Sequence, residues 1–63
     1  VDWRDIPNEK HRKVVQLYVD GWTLKAIAKE MEYDSHNGFR IVARILRRLR
    51  NQGYDIPRKL EFT

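Results

Sequence analysis

A chain of 63 residues with no cysteine is bounded to one small domain around a modest apolar core, and disulfides and thiolate metal sites are excluded. A formal net charge of +4 with a pI near 9.8 favours a polyanionic partner. No apolar run approaches the roughly 20 residues that span a bilayer and no signal-peptide pattern opens the sequence, so a soluble, intracellular chain with no membrane partner is expected. The start at Val1 rather than methionine is expected of a processed product or a domain of a longer protein.

In chain order the pattern predicts three helices joined by short turns, an all-α domain without repeats or low-complexity linkers. The first helix is expected over about residues 8–20, opened by Asp5 or Asn8 as a cap with Pro7 suited to the first turn, and closed by Gly21. Val14, Leu17 and Tyr18 share its inner face, and His11 reads as a surface or core-edge residue. Trp3 and Trp22, flanking this helix, are expected to cover core edges. The second helix, about 23–32, starts at Thr23 as N-cap and places Leu24, Ile27, Ala28 and Met31 at helical spacing. The third, about 35–52, has Ser35 as its cap and Gly53 just past its end. An extended tail is expected over residues 54–63.

Charge is distributed unevenly. From Val1 to Asp34 acids and bases nearly balance, whereas Ser35 to Tyr54 carries Arg40, Arg44, Arg47, Arg48 and Arg50 and no carboxylate. At about 100° per residue, Val42, Leu46 and Leu49 share one inward arc with Phe39 and Ala43 beside them, and Arg40, Arg44, Arg47 and Asn51 fall within about 60° of one another on the other side. Ile41 and Ile45 widen the apolar arc, where the N-terminal segment, the tail or a partner subunit could pack. Solvated helix faces normally interleave both signs, because like charges four residues apart repel. Arg40, Arg44 and Arg48 have that spacing, and self-repulsion without internal compensation points to an external polyanion.

The run from Thr23 to Met31, "TLKAIAKEM", together with the turn and Phe39-Arg40, resembles the helix-turn-helix of bacterial and phage DNA-binding proteins. Ala28 matches the small residue that lets the two helices approach, Tyr33 the apolar turn residue, and Phe39, Val42 and Leu46 the inward side of the recognition helix. With "LYVDGW" before it, the chain resembles the trihelical DNA-binding domains of transposases, recombinases and transcription regulators. Those proteins usually have glycine where Glu32 stands, because the position is left-handed. A non-glycine residue there costs on the order of 1 kcal/mol, which leaves a different turn open. Phe39 comes one residue later than in the shortest form of the motif, closer to the longer turn of AraC-like regulators.

The resemblance implies binding of double-stranded DNA with the third helix in the major groove, where arginine bonds guanine O6 and N7 and asparagine bonds adenine N6 and N7. His36, Asn37, Arg40 and Arg44, in its first half, are the expected base readers. Arg47, Arg48 and Arg50 are the expected phosphate anchors, with Arg58 and Lys59 of the tail as further contacts to a phosphate or the minor groove. High specificity is expected to need a homodimer or additional domains in a parent protein. The location implied is the cytoplasm, nucleoid-associated, or the nucleus.

Enzymatic readings lack an inventory: there is no cysteine nucleophile, glycine-rich phosphate loop or His-based metal spacing, so no catalytic residue, metal or cofactor is expected in this chain alone. The rival reading is a basic helical module that docks on an acidic protein or on RNA, the latter weakened by the lack of an expected aromatic platform. The segment "NQGYDIP", Asn51 to Pro57, resembles the exit of winged helix-turn-helix domains, but too little chain follows for a two-stranded wing.

Overall fold

The computed structural model describes residues 1–33 and 36–57. After a 3-10 turn, Trp3–Asp5, come α1 (Glu9–Val19), α2 (Leu24–Glu30) and α3 (Gly38–Asn51), and the described residues form no strand. Asn8 caps α1 by accepting from the amides of Lys10 and His11, and the Thr23 hydroxyl caps α2 by accepting from Ala26. These bonds satisfy donors that a helix start otherwise leaves open.

All three helices end in the same device. The amides of Gly21 and Trp22 return to the carbonyls of Tyr18 and Leu17, those of Glu32 and Tyr33 to Lys29 and Ala28, and those of Gly53 and Tyr54 to Arg50 and Leu49. This paired bonding needs a left-handed residue at the turn. Gly21 and Gly53 supply it with φ of 103° and 99°, and Glu32 supplies it with φ of 61°. The turn after α2 therefore keeps the left-handed form despite its non-glycine residue, at a steric cost of roughly 1 kcal/mol.

The core joins Val14 and Val15 of α1, Ile27 and Ala28 of α2, and Val42, Leu46 and Leu49 of α3 with Trp3, Ile6 and Ile56 from the segments outside the helices. Leu17, Tyr18, Leu24, Met31 and Tyr33 pack against it, as does Ile45. Each fully buried Val, Leu or Ile contributes about 1.5 to 3 kcal/mol of burial free energy, so the eight such residues of this core, with Trp3 and Ala28, supply the main driving force. Asp2 and Asp55 form a parallel bridge, with the Asp55 amide donating to the Val1 carbonyl at 2.7 Å. The chain after α3 thereby turns back to the N-terminal segment and buries Ile56. Asp2 also accepts from the Arg4 amide at 2.8 Å, which holds its carboxyl below the usual pKa.

Several expectations are corrected. Helix α3 begins at Gly38, three residues later than the expected start at about residue 35: Asn37 is non-helical, at φ −123° and ψ 14°, and its side chain caps nothing. His36 and Asn37 thus belong to the turn, and the Ser35 cap lies outside the described residues. Phe39 and Ala43, expected inward, are exposed, because Gly38 and Val42 take the positions facing α2. Trp22 is 37% exposed and stands outside the core, whereas Trp3 is buried.

Candidate nucleic-acid interface

Helix α3 is strongly two-sided. Val42, Leu46 and Leu49 are buried, while Arg40, Arg44, Arg47 and Arg48 are exposed. Arg40, Arg44 and Arg47 line one shallow surface depression together with Ala43, so the spacing of three and four residues does bring these arginines onto one face. Among the described residues none of the four has a carboxylate partner; the ion pairs there join Asp2 to Arg4 and Asp55 to the chain's first residue. A cluster of positive charge held together by a helix and left without internal compensation repels itself, and an anion that reaches it gains in proportion.

Arg50 differs from its neighbours. It is half-buried, its Nε and Nη2 donate to the carbonyls of Ile56 and Pro57 at 3.5 and 3.3 Å, and its guanidinium lies 5.8 Å from the Tyr18 ring centroid. Its charge-bearing atoms are engaged in holding the tail against α1 and α3. Arg47 and Arg48 keep their donors open to solvent. Arg58 and Lys59 lie outside the described residues, while His36 and Asn37 are exposed in the turn that leads into α3.

The structure adds groups that the sequence did not single out. Lys25 and Lys29, one turn apart on α2, border an apolar groove whose other walls are Ala26, Ala28, Tyr33 and Phe39. Their spacing of four residues was a visible signal, but only the packing of α2 on α3 brings them beside Phe39. The Arg40 guanidinium sits 6.0 Å from the Phe39 ring centroid. Positive charge thus runs from α2 across the start of α3 and along its exposed face. Among the described residues no group of His, Asp and Glu is placed to hold a metal, and no helix is long and apolar enough to cross a membrane.

Comparison with protein families, curated proteins and solved structures finds no match to this chain.

Proposed function

We propose that the chain binds double-stranded DNA through α3, laid in the major groove in the manner of a helix-turn-helix domain, and that it serves a regulator, recombinase or transposase. The observation that carries this reading is the exposed set Arg40, Arg44 and Arg47 on one face of α3, without a carboxylate partner among the described residues. A helix fits the major groove, and guanidiniums in its first half reach guanine edges there while later ones meet phosphates. Arg40 and Arg44 are the base readers of the proposal, aided from the preceding turn by His36 and Asn37. Arg47 and Arg48 are the phosphate anchors, and Lys25 and Lys29 extend the positive rim.

The test is a titration with duplex DNA at several salt concentrations. Four to six phosphate contacts correspond to a log-log salt slope of about −3.6 to −5.4. Absence of binding at low salt would favour the rival in which the basic helix docks on an acidic protein. Preference for single-stranded or double-stranded RNA over duplex DNA at equal salt would favour an RNA partner.

A further inference from the structure

The exposed face of α3 is not purely basic. Phe39 and Ala43, one helical turn apart, stand on it beside Arg40 and Arg44. Phe39 is 42% exposed. Phe39 lines the groove with Ala28 and Tyr33, Lys25 and Lys29 stand at its border, and much of the Phe39 side chain remains in solvent. The Arg40 guanidinium lies over the same ring, and Ala43 lines one depression with Arg40, Arg44 and Arg47.

This arrangement leaves a large aromatic surface in water at the position where α3 would enter a groove. A ring so placed has a favourable alternative only if a partner covers it, and the surrounding cations limit that partner to one that is negatively charged and presents small apolar groups between its charges. Duplex DNA does so in the major groove, where the thymine C5-methyl is the only apolar protrusion of any base pair and lies next to the hydrogen-bonding edges that arginines read.

We infer that Phe39, with Ala43 one turn later, reads thymine methyl groups, so that the preferred site combines thymine with guanine contacted by Arg40 or Arg44. The inference rests on the DNA-binding reading above and deepens it. Charge complementarity carries the choice of occupant, because Lys25, Lys29, Arg40 and Arg44 frame the apolar surface on both sides.

The experiment uses a labelled duplex recovered by selection from random sequences with the full chain. Thymines in it are replaced one at a time by deoxyuridine, which removes the methyl and leaves every hydrogen-bonding group in place. At one thymine the affinity of the unaltered chain should fall about fourfold, the equivalent of one buried methyl at about 0.8 kcal/mol. For Phe39→Ala the same replacement should have no effect, giving the nonadditivity of a direct contact. The uridine arm leaves the protein unaltered, so it stays readable if Phe39→Ala lowers the melting temperature, and Phe39→Leu should retain part of the response. Tight, selective DNA binding with no thymine sensitive to uridine overturns this inference and spares the DNA reading, as does a uridine effect of undiminished size in Phe39→Ala at every sensitive thymine. Failure of the unaltered chain to bind any duplex at low salt overturns both.

Discussion

Gly38 and Ala28 set the distance between α2 and α3: a Cβ built on Gly38 would lie 2.7 Å from the Ala28 Cβ, closer than two carbon atoms can stand. The glycine is needed here for space, since its φ is not in the left-handed region. Both atoms of that contact are fixed to backbone, so a rotamer change cannot relieve it.

Gly38→Ala should therefore push α3 away from α2 and destabilise the domain by about 1 to 3 kcal/mol, the usual cost of overpacking. Thermal melting followed by circular dichroism measures it, with about 4 to 8 °C expected per kcal/mol in a domain of this size. Ala28→Gly combined with Gly38→Ala should lose less than the sum of the two single changes. Strict additivity would show that the two positions do not touch.

Leu46 is 3% exposed at the centre of the inward face of α3. Leu46→Ala should cost about 2 to 5 kcal/mol, which is most of the stability of a small domain. Arg44→Ala, on the opposite face, should change the melting temperature little. A melting temperature for Leu46→Ala within a few degrees of the parent would place the core elsewhere.

Glu32 occupies a left-handed position in the turn after α2 at φ 61°. Glu32→Gly should raise stability by up to about 0.6 kcal/mol, the roughly 1 kcal/mol of steric relief less the about 0.4 to 1 kcal/mol of added freedom in the unfolded chain. Glu32→Gln keeps the strain and removes the charge, so it should leave stability near the parent value. Equal gains from both would trace the effect to charge instead.

Arg50 and Arg48 carry the same charge but should behave differently. Arg50→Ala removes donors to Ile56 and Pro57 and the contact with Tyr18, so a loss of about 1 kcal/mol in folding stability is expected, with the salt slope of DNA binding unchanged. Arg48→Ala should leave stability alone and lower the salt slope by about one unit. Identical effects of the two on the slope would mean that the tail contacts release Arg50 when DNA binds.

Periodicity made the helices and most of the inner face legible. Val42, Leu46 and Leu49 recur at spacings that a helix brings to one face, and they are buried together with Val14 of α1 and Ile27 of α2. The left-handed residue at Glu32 was legible only through the likeness to a known turn. Ile6 and Ile56 were not legible, because each is a lone apolar residue outside any helix and is buried by a pairing between the two ends of the described chain. The phase of α3 was misjudged at its start, since the close contact of Gly38 with Ala28 is a tertiary constraint that a wheel begun at Phe39 does not contain. That error hid the most informative part of the candidate site: Phe39 and Ala43 were assigned to the core, yet they stand among the arginines. Arg50 was likewise indistinguishable by charge alone, and only its contact with the tail separates it from Arg47 and Arg48.

The central claim, that α3 reads DNA with its arginine face, is tested most directly by the ratio of affinities for a selected duplex and an unrelated one in Arg44→Ala, compared with Arg47→Ala at the same salt. Arg44→Ala should lose about 1 to 3 kcal/mol on the selected duplex and less on the unrelated one, so that the ratio collapses, whereas Arg47→Ala should weaken both alike and preserve it. Equal weakening of both duplexes by both variants would contradict the claim, leaving an electrostatic patch that lies along the phosphate backbone outside the groove.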